Sequence, residues 1–446
     1  MSSEQSITFI AQPGGNLSGE IRVPGDKSIS HRSIMLGSLS DGTVTITGFL
    51  QGEDSLATLK AFKAMGVDIQ GPDENGKIII HGVGMHGLKP PVEPLDLGNS
   101  GTSMRLLTGL LASQGFDITL TGDDSLSSRP MKRVIDPIQQ MGGVIEATEK
   151  GTAPLHIKSS KNSRLKAIDY VLPMASAQVK SCVLLAGLYA EGRTCVTEPA
   201  PTRDHTERML QGFGYTLDIK KLDDYRSTIC LEDGGKLTAC DIDVPSDISS
   251  AAFFMVGASI AEGSDLTLKH VGINPTRIGI INILNLMGAD ISLSNQQEVG
   301  GEPVADIRIR STRLKGIHIP EDQVPLAIDE FPAIAIAAAC AEGRTELTGA
   351  EELRVKESDR IQAMVDGLQI LGIDCEGTPD GMIINGGTLD SGTVESLGDH
   401  RIAMSFAMAA LRSNGEIKIK DCANVNTSFP NFIQLARTCG LKVEAQ

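Results

Sequence analysis

The sequence predicts an α/β protein built from six repeated units grouped three and three. Three observations carry this reading. Six apolar helical stretches each run to a Gly and on into a β-rich segment, at Gly42, Gly115, Gly192, Gly263, Gly343 and Gly415, spaced 71–80 residues apart. A second series of helix ends lies between them, at Gly66, Gly142, Gly214, Gly288, Gly372 and Gly440. The chain has 446 residues, and six units of that size are too many for one hydrophobic core.

Each of these glycines is expected to be the left-handed cap that ends a helix, with a strand after it. Each unit then holds two helices and several strands. The first helix is apolar and rich in small residues and should be buried; the second is more amphipathic and should show one side to solvent. Unit one opens near Asp26 and unit four near Asp247, which places hinges at Val23–Asp26 and Asp243–Ser246. The expected domains are residues 25–244, and residues 1–24 plus 245–446. The N-terminal strand goes with the C-terminal half.

Composition narrows the function. Lys and Arg number 40 and Asp and Glu 56, a net charge of −16 that argues against nucleic acid or an anionic membrane as partner. Trp is absent and aromatics are 3%, so the core is aliphatic and base-stacking platforms are not expected. The N-terminal segment MSSEQSITFIAQPGG lacks the basic start of a signal peptide. The longest apolar run, around Phe331–Ala341, is far short of the ~18 residues of a membrane span. The eight cysteines are scattered without a C-x-x-C pair, so reduced thiols in a cytosolic protein are expected, not a zinc site or a disulfide framework.

The sharpest polar motifs are expected at helix starts. They are VPGDKSISHR (23–32), LGNSGTSMR (97–105), SSRPMKR (127–133), PMASAQVKS (173–181), PTRDHTER (201–208) and LRVKESDR (353–360). A helix N-terminus carries unpaired N–H groups and partial positive charge, so Lys or Arg there is unfavourable by ~0.3–1 kcal/mol each. Lys27, Arg129, Arg203, Lys356 and Arg360 at equivalent points of the repeats therefore suggest that anions fill the space between them. The alternative is local pairing with Asp26, Asp204 or Asp359. VPGDKS lacks the spacing of a nucleotide-binding P-loop, and no G-x-G-x-x-G follows a strand in the context a nicotinamide site needs.

The second half differs. Its first helices start with acids: Asp247, Asp329 with Glu330, and Asp399. Asp247 reads as a structural N-cap. One half thus offers hydroxyl and basic ligands; the other offers Asp329, Lys356, Glu357, His400 and Arg401. A cleft between the halves would set acid and base groups beside an anion cage.

In this order, VPGDKSISHR, LGNSGTSMR, SSRPM, PMASAQVKS, AIDEFP, LRVKESDR and DHRIAM resemble the 5-enolpyruvylshikimate-3-phosphate synthase family, in its branch with an ASAQV-type motif. The resemblance covers essentially the whole chain. It implies two domains of three βαβαββ units each, arranged as an inverted α/β barrel. It also implies that the 5-hydroxyl of shikimate 3-phosphate attacks C2 of phosphoenolpyruvate, through a tetrahedral intermediate that loses phosphate. No metal or organic cofactor is implied, and a monomer is expected.

By motif, Lys27, Ser28, Arg32, Ser176, Ala177, Gln178 and Arg203, with Asp329 and Lys356, would hold shikimate 3-phosphate. Lys27, Asn99, Gly101, Arg129, Gln178, Arg360 and Arg401 would hold phosphoenolpyruvate. Asp329 would take the proton of the 5-hydroxyl, and Lys356 or Glu357 would deliver one to the methylene carbon. One departure stands out: many relatives carry Lys where this chain has Thr427. The sister transferase acting on UDP-N-acetylglucosamine normally has a Cys in the loop that here reads TGDDSLSSRP (121–130), without one. A non-catalytic anion-binding protein of this fold would not need Asp329, Lys356 and Glu357.

Overall fold

Helix punctuation follows the repeats. In the computed structural model, which describes residues 7–159, 164–223 and 225–446, the helices up to Val244 are α1 (Lys27–Leu39), α2 (Glu53–Ala64), α3 (Gly101–Leu111), α4 (Asp124–Ser128), α5 (Lys132–Gln140), α6 (Ala177–Gly187) and α7 (His205–Gly212). Beyond it come α8 (Ile248–Ile260), α9 (Gly279–Leu286), α10 (Val324–Ala327), α11 (Phe331–Ala339), α12 (Arg360–Ile370), α13 (His400–Ala409) and α14 (Phe432–Cys439). Residues 1–6, the start of the N-terminal segment, lie outside the described residues.

All six second helices end alike. The glycine N–H bonds the carbonyl three residues back, and the next N–H bonds the carbonyl five back, as in Gly66 to Lys63 and Val67 to Phe62. The same pair of bonds recurs at Gly142, Gly214, Gly288, Gly372 and Gly440. This cap needs positive φ, which glycine adopts without a Cβ penalty. The first series differs from expectation. None of its glycines is the helix cap: α1, α3, α6, α8 and α11 close at Ser40, Ala112, Leu188, Ala261 and Cys340. Gly42, Gly115, Gly192, Gly263 and Gly343 have positive φ in the segments that follow, but Gly415 does not. There α13 runs into a 3₁₀ turn, Ala410–Arg412, and the extended Ser413 completes the turn before Gly415 is reached. Gly415 instead serves a close approach: a Cβ there would lie 2.7 Å from that of Ser391.

The chain forms two compact units: Gly25–Val244 with Val299–Glu302, and the residues up to Pro24 with Pro245–Glu298 and Pro303–Gln446. In the first unit three sheets share one plan. A parallel pair leads each sheet: Ile242–Asp243 beside Asp41–Thr47, Leu95–Asp96 beside Ile118–Thr121, and Asp169–Val171 beside Arg193–Glu198. Two antiparallel strands follow in every case. The second unit repeats the plan. Ser18–Ile21 runs parallel to Asp265–Gly272, and Gly392–Glu395 to Ile417–Lys420. In its third sheet the bridges Lys315–Glu342 and His318–Glu346 stand in for the parallel strand. Phe9–Ala11 pairs with Ile417–Lys420 and Val443–Ala445, so the N-terminal strand completes the last repeat. The expected barrel is not a closed one: the sheets remain separate among the described residues.

First helices are the core. Every residue of α8 and α11 is buried, and these two pack on α13. Small residues permit close crossing; a Cβ on Gly109 of α3 would sit 2.0 Å from the Cys182 carbonyl of α6. The second helices are half-buried; α14 hides only Phe432, Ala436 and Cys439. One expectation fails at the thiols. Cys195 and Cys230 face each other in register across the antiparallel strands Arg193–Glu198 and Ser227–Glu232 and form a disulfide. Spacing alone does not reveal a pairing that strand register decides. No helix among the described residues is long and apolar enough to cross a membrane.

Candidate active site

In the first unit, side chains tie the N-terminal turns of α1, α3 and α6 together. Asp26 caps α1, its carboxylate accepting from the Ile29 N–H at 2.9 Å. Lys27 follows, and its ammonium pairs with Asp54 of α2. One turn on, buried Arg32 donates from Nε to Thr206 (2.7 Å), from Nη1 to the Ser28 carbonyl (2.9 Å) and from Nη2 to Ser181 (2.9 Å). Burial draws its pKa down to about 10, so it stays cationic at neutral pH. Its role here is to fasten α1 to α6 and α7. A buried chain of His31, Thr58 and Ser103, with 2.7 and 2.5 Å contacts, links α1, α2 and α3. Burial, against the pull of Asp54, lowers the His31 pKa to about 3 and keeps the ring neutral.

Ser100 caps α3, accepting from the Ser103 N–H at 3.1 Å. Arg129 donates to the Asn99 side-chain oxygen at 2.6 Å, and Asn99 donates to Asp123 at 2.8 Å. Gly101 leaves room for this group: a Cβ would lie 2.9 Å from Nη1 of Arg105 and 3.3 Å from Nη1 of Arg129. Ser176 caps α6, where Ala177 is the first residue. Gln178 accepts from Arg105 at 2.7 Å and donates to Thr102 at 3.1 Å, joining α6 to α3. Half-buried Arg203 lies in the segment before α7. That segment is anchored by Thr202, which donates to Glu198 at 2.8 Å. Glu198 and Glu207 in turn hold the buried ammonium of Lys180 at 2.9 and 2.7 Å.

The second unit gathers Lys356, Arg360 and Arg401 around Asp329. Its Oδ1 lies 3.3 Å from Nη1 of Arg360 and 3.7 Å from the ammonium of Lys356. Its backbone carbonyl accepts from Nη1 of Arg401 at 3.0 Å. Arg360 is 1% exposed and also donates to Asp399 (2.8 Å) and Glu357 (2.6 Å). Asp399 caps α13, accepting from the Arg401 N–H at 2.9 Å. Confinement by surrounding protein raises the Glu357 carboxyl, but Arg360, His400 and Arg401 outweigh it and hold the group well below the usual carboxylate range. Burial likewise works against Asp399, and Arg360 and His400 reverse it. Burial also opposes the charge of Arg360, yet Glu357, Asp399 and Asp329 drive its pKa upward.

Two details of the sequence reading change. Arg129 and Lys356 do not begin helices: Arg129 ends α4 and Lys356 ends a 3₁₀ turn, Glu351–Val355. There a cation has the favourable sign. Lys27 pairs with Asp54, and Arg360 with Asp329, Glu357 and Asp399, while Asp359 pairs with Arg354. Within the first unit Asn99, Gly101 and Arg129 form one group, which Arg105 links to Gln178. Within the second unit Asp329, Lys356, Glu357, Arg360 and Arg401 form one group. Thr427 donates to the Asn424 carbonyl at 2.7 Å. Sequence reading missed Arg105 and Asp54. The spacing of Gly101 and Arg105, one helical turn, was the available signal for the first; Asp54 carried none.

Two units of three repeats, each presenting charged groups at its helix starts, define an enolpyruvyl-transferase fold. The structure aligns with the enolpyruvyl transferase NikO from Streptomyces tendae at a TM-score of 0.77 over 99% of both chains; at 15% identity this likeness shows the fold alone. The pattern of the family described as EPSP synthase (3-phosphoshikimate 1-carboxyvinyltransferase) matches residues 11–435, and the chain belongs to that family. It is 67% identical to the 3-phosphoshikimate 1-carboxyvinyltransferase of Methylococcus capsulatus, over 99% of each chain. It is 64% identical to that of Hydrogenovibrio crunogenus, again over 99% of each. The structure of EPSP synthase from Acinetobacter baumannii aligns at a TM-score of 0.90 and 59% identity, covering 99% of this chain and all of the other.

Proposed function

We propose that the two groups of charged residues divide the labour of carboxyvinyl transfer. The chain transfers the carboxyvinyl group of phosphoenolpyruvate to the 5-hydroxyl of shikimate 3-phosphate and releases phosphate, in the pathway to aromatic amino acids. The first unit supplies the shikimate 3-phosphate ligands Lys27, Ser28, Ser176, Ala177, Gln178 and Arg203, on helix starts that suit anions, with Arg32 beneath them. Asn99, Gly101 and Arg129, with Lys27 and Gln178, receive phosphoenolpyruvate from that unit, and Arg360 and Arg401 receive it from the other. Planar guanidinium forks suit both its carboxylate and its phosphate.

Asp329 accepts the 5-hydroxyl proton as the oxygen attacks C2, and the methylene carbon gains a proton, giving the tetrahedral intermediate. Loss of a proton from the resulting methyl group then re-forms the double bond as the C2–O bond to phosphate breaks. Glu357 is held as an anion by its cations, which favours Lys356, 3.7 Å from Asp329, as the proton donor. The observation that carries this reading is Asp329 set between Lys356 and Arg360 with Arg401 on its own carbonyl. We further propose a cytoplasmic monomer.

Phosphate release tests the reading. Wild-type chain should release phosphate only with both substrates and not when UDP-N-acetylglucosamine replaces shikimate 3-phosphate. Asp329→Ala should lower kcat by about 10²–10⁴-fold, the usual worth of a general base, while shikimate 3-phosphate binding persists in calorimetry. Near-normal turnover, or lost binding, would remove Asp329 from the role.

A further inference from the structure

Glu330 follows Asp329 directly, yet its side chain goes elsewhere. Asp329 faces Lys356 and Arg360, whereas Glu330 is 1% exposed and accepts a hydrogen bond from the Ser249 hydroxyl at the start of α8. Buried Arg277, just ahead of α9, donates from Nη2 to Ser249 at 2.6 Å and to Asp247, the N-cap of α8, at 3.0 Å. Nη2 also lies 4.0 Å from the Glu330 carboxylate. One oxygen of Glu330, Oε2, is buried with no hydrogen-bond partner among the described residues.

A buried carboxylate with an unmet oxygen is a poor way to gain stability; a well-packed apolar residue does better. What the residue does provide is a fixed connection. Glu330 is the N-cap position of α11 without capping it, so its side chain is available to lock the start of α11 onto the start of α8. Asp329 is then held from three sides: its carboxylate by Arg360 and Lys356, its carbonyl by Arg401, and the following residue by Ser249 and Arg277.

We infer that Glu330, with Ser249 and Arg277, is a positioning cluster that sets the orientation of Asp329 for proton abstraction. The inference rests on the assignment of Asp329 as the proton acceptor. A misplacement of about 1 Å at a reacting group costs on the order of 10²-fold in rate, so loss of the peg should appear in kcat.

Full-length Glu330→Ala, Glu330→Gln and Ser249→Ala are compared by steady-state kinetics and by calorimetric binding of shikimate 3-phosphate. Glu330→Ala should lower kcat roughly ten- to hundredfold with the Kd for shikimate 3-phosphate within about threefold of wild type. Glu330→Gln keeps an oxygen to accept from Ser249 and should retain about a third of kcat or more. Ser249→Ala should lower kcat by about three- to tenfold. A kcat within about twofold of wild type for Glu330→Ala, or equal losses in kcat and affinity, would overturn the inference. Should Glu330→Ala not fold, Ser249→Ala decides alone, and an unchanged kcat overturns it. Asp329→Asn separates the two claims. If it still turns over, the proton-acceptor assignment falls; if it is inactive beside a fully active Glu330→Ala, only the positioning role falls.

Discussion

At the scale of single residues, the site depends on cations that have little freedom. Arg360 is shared among Asp329, Glu357 and Asp399, and Arg129 is steered by Asn99. Gly101 sets how closely Arg105 and Arg129 approach the start of α3. Gly101→Ala adds a methyl group 2.9 Å from Arg105 Nη1, the far end of a flexible side chain that can move aside. We therefore expect little change in Tm. The KM for phosphoenolpyruvate should rise about tenfold, roughly 1.4 kcal/mol of binding, because Arg105 and Arg129 are displaced. An unchanged KM would show that this pair does not shape the site. Lys27, Asp329, Lys356 and Arg360 could be named as candidates from the sequence because each stands in a distinctive motif. Their partners could not: Asp54 meets Lys27, and Asp399 meets Arg360, only through helix packing.

At the scale of elements, the repeats were legible because the left-handed caps of the second helices need glycine and so leave a periodic mark, while the first-helix glycines sit beyond the caps. Gly415 broke the pattern because a 3₁₀ turn had already reversed the chain. The buried His31–Thr58–Ser103 chain joins three helices and has a consequence for stability. Its folded pKa of about 3 lies below the ordinary histidine value of 6.5. The unfolded chain therefore binds the extra proton as pH falls. This contribution is fully present above about pH 6.5 and is lost toward pH 3, at about 1.4 kcal/mol per pH unit. Urea unfolding at pH 7, 6 and 5 should show wild type losing stability faster than His31→Gln, by roughly half that slope between pH 7 and 6 and close to all of it between pH 6 and 5. Parallel lines for the two proteins would contradict a neutral, buried imidazole. The Cys195–Cys230 disulfide, in contrast, follows from strand register and left no signal in cysteine spacing.

For the whole molecule, one βαβαββ plan is used six times, with the N-terminal strand Phe9–Ala11 completing the last unit. The period of the glycines exposed this plan, and a core of limited size argued for three units on each side. The sequence did not indicate that residues 299–302 group with the first unit. There Gly301 accepts from Arg208 at 3.0 Å and Glu302 meets His205 at 2.7 Å, contacts set by a turn far along the chain. With a net charge of −16, the proposed recognition of two anions falls to local groups of cations, one of which lies in each unit. A crystal structure of the inactive Asp329→Ala chain with shikimate 3-phosphate and phosphoenolpyruvate bound tests that claim most directly. Arg129 from one unit and Arg360 and Arg401 from the other should contact the same phosphoenolpyruvate, with Lys27 near both ligands. Phosphoenolpyruvate held by side chains of a single unit would contradict it.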